Sequence, residues 1–408
     1  MKQKYHTWWL KAVLCFFAGF IYSNNSIATT TAELTQKIKS LAPDSSIILN
    51  DEVGNQLFSY NPYKSLIPAS IVKIITVLAA YDILGEGFHF KTEFFYDDKN
   101  NLAIKGWGDP FLISEEIEVI AAILKQSTPF QINQIYLDTS TFEPNPDIPG
   151  RSSTLNPYDA LNGALVVNFN TLFIGKTKSG VVHSAEEATP LTPLAIEKGL
   201  YIKSESEERI NLTAHPEESL LYAGELFSAF LQSSGMDVQN RQIAHVVVDD
   251  SWRLVHRHFN SRSLEFIFTG LMKYSNNYIA NQVYLVMGAE KLGYPATLSK
   301  SKLVLKDYLK DKWNFDETDV ILEEASGISR NNRISAYQMM AGLESFRQHS
   351  HLLPSKNKIK IKSGTLTGVY NYAGYFETRH GLQPFVIMTN QTKNNRDKIL
   401  ELLHSISN

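Results

Sequence analysis

The chain has 408 residues, 43% of them hydrophobic and 20% charged, a balance that suits a folded protein of one to three domains and excludes long disorder. Lys and Arg total 39 against 42 Asp and Glu, a net charge of -3, which argues against a dedicated nucleic-acid binder. A single cysteine excludes a disulfide framework and a thiolate-rich metal site.

That cysteine, Cys15, lies in an apolar stretch over residues 8–22, after Lys2 and Lys4 and before Ser26-Ile27-Ala28. A basic start, a short apolar run and a small-x-small ending predict a secretory signal peptide over residues 1–28, the run being shorter than the ~20 residues a membrane span needs. Cleavage after Ala28 would leave an exported chain with no cysteine and no transmembrane segment, suited to an oxidising compartment such as the periplasm. Residues 46–49 and 56–60 then predict a β-hairpin, and residues 70–84 a helix entered after Pro68 and stopped by Gly85. Strands are expected near 93–105, 132–138 and 164–175 and a helix near 114–126, separated by loops such as the Pro-rich 143–150. A helix near 216–234 precedes a strand over 244–248, and long helices follow near 261–289, 298–311 and 335–348. Residues 358–362, 370–376 and 383–389 read as antiparallel strands before a terminal helix after Arg396. With strands at both ends and helices between, a sheet built from the two ends and covered by helices buries both apolar faces.

Zinc-protease, P-loop and nucleophile-elbow motifs are absent, and the 11 His residues have no metal-ligand spacing, so neither a metal nor a cofactor is expected. What remains is a serine–lysine pair. Ser70 and Lys73 stand at i and i+3 at the start of an apolar helix, so hydroxyl and amine share a face. Serine needs an adjacent base to become a nucleophile, and lysine can be that base only where its surroundings keep it neutral. The same spacing at Ser299–Lys302 and Ser355–Lys358 lies in lysine-rich, solvent-like sequence, whereas Lys73 is flanked by Val72, Ile74 and Ile75.

Ser275-Asn276-Asn277 follows in a helical stretch, and Lys362-Ser363-Gly364-Thr365 follows the alternating strand residues Ile359-Lys360-Ile361. Each triplet recurs elsewhere by chance; only this set runs in the order S-x-x-K, S-x-N, K-[ST]-G-[ST]. That ordered set belongs to active-site serine β-lactamases and penicillin-binding proteins. Over nearly all of the mature sequence the chain resembles the D-alanyl-D-alanine carboxypeptidase/endopeptidase family of class C penicillin-binding proteins. Further matching stretches are 105–110, 222–226, 261–264, Ser326-Gly327-Ile328-Ser329-Arg330 and Gly368-Val369-Tyr370-Asn371-Tyr372-Ala373-Gly374.

The resemblance implies an α+β, β-lactamase/transpeptidase-like domain of antiparallel sheet and helices, formed by residues 29–90 and 256–408, with an inserted region over 91–255. It also implies roles. Ser70 attacks the carbonyl of the penultimate D-alanine, Lys73 takes its proton, and Ser275 relays a proton to the departing amine. Asn277 binds the substrate amide and steadies Lys73, Lys362 and Thr365 receive the terminal carboxylate beside Ser363 and Gly364, and Arg330 borders the substrate. Backbone N–H groups of Ser70 and Thr365 would form the oxyanion hole. The implied partners are peptidoglycan peptides ending in D-Ala-D-Ala, with β-lactams as covalent inhibitors. Many relatives carry a longer, tryptophan-bearing segment between 149 and 170 with an acid that reads the cross-linking diamino acid; the candidate here is Asp159. A serine β-lactamase and a non-catalytic cell-wall binder of the same fold are the alternatives. The first needs a deacylating base, for which Glu207-Glu208-Arg209-Ile210-Asn211 is the only E-x-x-x-N match, in a presumed loop on the wrong side of Ser275.

Overall fold

A computed structural model describes residues 30–129 and 131–407, so the expected signal peptide lies outside the described residues. The chain opens with α1 (Thr31–Leu41), β1 (Ser46–Asn50) and β2 (Gln56–Tyr60), then a 3-10 turn (Ala69–Val72) that leads directly into α2 (Lys73–Leu84). Next come β3 (Lys91–Tyr96), β4 (Leu102–Gly106), α3 (Ser114–Ser127), β5 (Gln131–Asp138), β6 (Thr171–Lys176) and β7 (Val182–Ser184). They are followed by α4 (Pro193–Gly199), β8 (Ser206–Asn211), α5 (Pro216–Ser233), β9 (Asp237–His245) and β10 (Arg253–Phe259). The remainder comprises α6 (Leu264–Tyr274), α7 (Asn277–Leu292), α8 (Leu298–Trp313), α9 (Ala336–Phe346), β11 (Ser355–Lys356), β12 (Ile359–Leu366), β13 (Val369–Thr378), β14 (Gly381–Met388) and α10 (Arg396–His404). Among the described residues no helix is long and apolar enough to cross a membrane.

A six-stranded antiparallel sheet, ordered β11-β12-β13-β14-β1-β2, joins the two ends of the chain as their apolar patterns require. Its central strands are apolar on both faces because both are covered. Ile48, Val386 and Met388 face the large core that contains α2 and α7, whereas Ile47, Leu49, Phe385 and Ile387 face a smaller cluster with Leu34 and Ile38 of α1 and Ile399 and Leu403 of α10. The fold is therefore α+β, an antiparallel sheet between helices. A mixed five-stranded sheet, β10-β3-β4-β5-β9, and a three-stranded sheet, β7-β6-β8, are built entirely from the segment between β3 and β10. The expected boundary at 255 falls inside β10, whose pairing with β3 continues to Phe259.

α2 is the central helix. Every residue from Lys73 to Tyr81 is buried, as an all-round apolar helix must be, and it packs on α7 and α9. Gly85, at φ 82°, ends it by returning its N–H to Tyr81 O. Removing one of its core side chains, as in Leu78→Ala, costs about 2–5 kcal/mol in a site this closely packed.

Four expected elements differ, the stretch near 93–105 being two antiparallel strands, β3 and β4, rather than one. The single helix over 261–289 is broken into α6 and α7: Ser275 adopts the left-handed region at φ 54°, and the Asn276 side chain caps α7 by accepting from Ile279 N at 3.0 Å. The strand expected from 164 begins only at Thr171, because Asn168, Phe169 and Asn170 form a left-handed turn at φ 48°, 60° and 54°. The strand placed at 244–248 is the end of β9, which runs over Asp237–His245.

Candidate active site

Ser70 lies in the 3-10 turn at the entrance to α2, half-buried, with the preceding Ala69 held at φ 47°. A non-glycine residue in that conformation costs roughly 1–2 kcal/mol and persists only where its surroundings fix it. Three groups of contacts do so. Asn371 donates to Ile67 O at 2.9 Å and Pro68 O at 2.8 Å while accepting from Thr389 N at 2.9 Å. Asn390 accepts from Ile67 N at 2.9 Å. Gly327 and Gly364 lie so close that a Cβ would stand 2.0 Å from Ala69 O in the first case and 2.7 Å from Pro68 O in the second. Ser70 is thus clamped between the β12–β13 pair and the 324–330 loop.

Lys73 is fully buried, and its Nζ lies 3.0 Å from Ser70 Oγ, 2.8 Å from Asn277 Oδ1 and 2.6 Å from Ser326 O. Burial, and after it the positive charge of Lys362, hold its pKa well below the usual lysine range, with the Glu324 carboxylate pulling the other way. A neutral amine has two N–H bonds and a lone pair. Asn277 Oδ1 and Ser326 O accept the two hydrogens, which leaves the lone pair for the Ser70 hydroxyl.

The opposite wall is the β12 strand. Lys362 is buried and donates to Ser275 Oγ at 2.8 Å and to Ser363 O at 3.0 Å; burial lowers its pKa to about 8. Ser275 reaches this lysine because its left-handed turn sits between α6 and α7 rather than within one helix. Ser363 and Thr365 are exposed, alternating with buried Lys362 and Gly364 as a strand edge dictates. Six of the expected residues, Ser70, Lys73, Ser275, Asn277, Lys362 and Gly364, are therefore brought together by direct contacts. Arg330 is exposed at the side, its Nη2 donating to Thr367 O at 2.8 Å in the β12–β13 turn.

Four contributors lay outside the sequence expectations. Ser326 supplies only its backbone carbonyl to Lys73, so its side-chain identity carried no signal. Glu324, fully buried, gathers Ser326 N at 2.7 Å, Gly327 N at 2.8 Å, Asn281 Nδ2 at 3.1 Å and Asn332 Nδ2 at 2.8 Å, fixing the loop that presents that carbonyl. Asn371 lies within a stretch already noted, but its anchoring role depends on a contact made far along the chain. Arg396, at the start of α10, donates to Thr365 Oγ1 at 2.7 Å. The segment after β5 also reaches the site: Tyr158 O accepts from Asn277 Nδ2 at 3.3 Å, and a Cβ on Gly150 would stand 2.7 Å from Ser329 Cα. Asp159 is buried and spends its oxygens on Ser152 N and the Thr154 hydroxyl, so it stabilises its own loop rather than facing the cleft.

Residues 28–178 and 199–355 match the D-Ala-D-Ala carboxypeptidase 3 (S13) family. The chain belongs to that family, and it is a serine-type D-alanyl-D-alanine carboxypeptidase of the penicillin-binding type. It is 22% identical to the D-alanyl-D-alanine carboxypeptidase DacB of Haemophilus influenzae, over 86% of this chain and 85% of that one. It is 24% identical to the D-alanyl-D-alanine carboxypeptidase of Actinomadura sp. strain R39, over 84% and 77% of the two chains. Among solved structures, penicillin binding protein 4 of Haemophilus influenzae superposes with a TM-score of 0.72 at 18% identity, covering 91% of this chain and 98% of that one, and the same protein has been solved with a β-lactam. The expected fold class and family are both borne out.

Proposed function

We propose that this carboxypeptidase removes the terminal D-alanine of peptidoglycan stem peptides through an acyl-enzyme on Ser70, and that penicillins acylate the same oxygen. The observation that carries the proposal is the lysine geometry: Lys73 is buried with its Nζ 2.8 Å from Asn277 Oδ1, 2.6 Å from Ser326 O and 3.0 Å from Ser70 Oγ, so that a neutral amine giving its two hydrogens to the fixed acceptors turns its lone pair to Ser70. As Ser70 Oγ bonds to the carbonyl carbon of the penultimate D-alanine, its proton passes to Lys73 Nζ. Backbone N–H groups of Ser70 and Thr365 are assigned to the oxyanion, where a single donor is worth about 10²–10³ in rate. The C–N bond then breaks, and the departing amine takes a proton from Ser275, which Lys362 resupplies across their 2.8 Å hydrogen bond. Water attacks the ester, the proton held on Lys73 returns to Ser70 Oγ as the shortened peptide leaves, and the proton given up by the water restores Lys362. A cross-linked peptide also leaves as an amine, so the same steps support endopeptidase cleavage.

In this reading 91–255 is an inserted region that leans on the site at Tyr158 and Gly150, Asn277 also holds the substrate amide, Lys362, Ser363 and Thr365 face the substrate carboxylate, and Arg330 borders them. The amino-terminal pattern supports export to the periplasm; amino-terminal sequencing of the secreted protein should start at Thr29. A β-lactamase reading finds no base in Glu207: it lies on β8, a strand rather than the loop expected, 59% exposed and beside His183 in the three-stranded sheet. The test is labelled penicillin with mass mapping of the adduct. It should sit on Ser70 and vanish in Ser70→Ala; an adduct on Ser299 or Ser355, or rapid loss of the adduct with no D-alanine release from a peptide, would overturn the proposal.

A further inference from the structure

At the open end of β12 the cationic side chain in contact with the strand's exposed face is Arg396, from the start of α10. Its Nη1 donates to Thr365 Oγ1 at 2.7 Å, and its guanidinium carbon lies over the Tyr372 ring, 4.4 Å from the centroid. Tyr372 pairs with Ser363 across the β12–β13 ladder, so the arginine stands over the face that carries both the Ser363 and Thr365 hydroxyls. The neighbouring Asp397 forms no ion pair with it, its carboxylate accepting from Tyr372 OH at 2.8 Å. None of the ion pairs among the described residues includes Arg396; its Nε is buried without a partner, and its Nη1 also lies 3.5 Å from Gly364 O. A planar cation held over an aromatic ring, with Nη1 on a substrate-facing hydroxyl and Nη2 in no hydrogen bond among the described residues, offers the Nη1–Nη2 fork that grips a carboxylate. Arg330, by contrast, has committed Nη2 to the Thr367 carbonyl.

We propose that Arg396 is a specificity-determining residue that binds, together with Thr365, the carboxylate of the residue beyond the scissile amide. The substrate class is a peptide whose leaving residue bears a free carboxylate next to its amine. The inference rests on the reading that Ser70 is the acylated oxygen. Being held over the Tyr372 ring means little side-chain freedom is lost on binding, and the guanidinium keeps its charge at every pH the enzyme meets.

The experiment compares kcat/KM for a D-Ala-D-Ala peptide as the free acid and as its C-terminal amide, in the native protein, Arg396→Ala and Arg396→Lys. Arg396→Ala should lose about tenfold or more on the acid, chiefly through KM, and stay within twofold on the amide, while Arg396→Lys recovers part of the loss. An equal loss on acid and amide, or less than a threefold loss on the acid, overturns the proposal. If Arg396→Ala does not fold, Arg396→Gln keeps a donor for Thr365 without the charge and is read by the same criteria. Failure of the underlying reading has a separate signature, native D-alanine release that survives Ser70→Ala, and that outcome overturns both.

Discussion

The cleft joins a helical wall and a strand wall, each carrying a buried lysine, and the two lysines differ in what surrounds them. On the helical wall Lys73 is enclosed by Asn277 Oδ1 and Ser326 O, both fixed acceptors, and feels the repulsion of Lys362 in addition to burial. On the strand wall Lys362 meets one rotatable hydroxyl and its neighbour's carbonyl, and burial alone lowers it to about 8. The first environment disfavours the charged amine strongly. The second keeps a cation that can still give up a proton. One residue type serves two roles because the partners, rather than the side chain, decide which protonation state is favoured.

The largest expected effect comes from breaking the helical wall. Lys73→Arg keeps a charge but cannot accept a proton near neutral pH, so Ser70 acylation should fall by roughly 10²–10⁴-fold in a protein that still shows a cooperative thermal transition. Near-normal labelling of that folded variant would mean another group is the base. Next comes the clamp between the walls. Gly327 sits at φ 86° with Ala69 O 2.0 Å from where a Cβ would lie, so Gly327→Ala must displace the Ser70 turn. A misplacement of that kind costs on the order of 10²-fold in acylation; an unchanged rate would show that the turn tolerates the shift.

The strand wall is tested by pH. Lys73 must be neutral, so acylation rises as pH increases through its depressed pKa; Lys362 must be protonated, so the rate declines again above about 8. Lys362→Gln should remove the alkaline limb, move the acid limb to higher pH because the repulsion that lowers Lys73 is lost, and raise KM about tenfold. A variant that keeps the full bell would assign the alkaline limb elsewhere. The smallest effect is expected at Arg330, whose guanidinium rests on an exposed turn carbonyl. Arg330→Ala should change KM by only a few-fold, as measured with a D-Ala-D-Ala peptide, and a loss near that of Lys362→Gln would move it to the centre of the site.

Much of this arrangement was legible in the sequence, for a local reason. The burial of α2 follows from the mostly apolar run after Lys73, the end-to-end sheet from strands apolar on both faces, and the lysine–serine pairing from i, i+3 spacing across the 3-10 turn into α2. Where expectations slipped, a short polar segment overrode a longer pattern. Apolar spacing runs through Ser275-Asn276-Asn277 as though one helix continued, yet capping by Asn276 breaks it and turns Ser275 toward Lys362. The left-handed turn at Asn168–Asn170 likewise interrupts a stretch with strand-like composition.

The sequence by itself determined which residues could do the chemistry and the order in which their elements follow one another, because motif spacing and apolar periodicity are local properties of the chain. Tertiary structure alone decided that burial and Lys362 depress the pKa of Lys73, that Glu324 holds the loop offering Ser326 O, that Asp159 turns inward and that Arg396 rests on Thr365. Each of these depends on desolvation or on a hydrogen-bond partner brought in from elsewhere in the chain, and both are created only when the helical and strand walls close on one another.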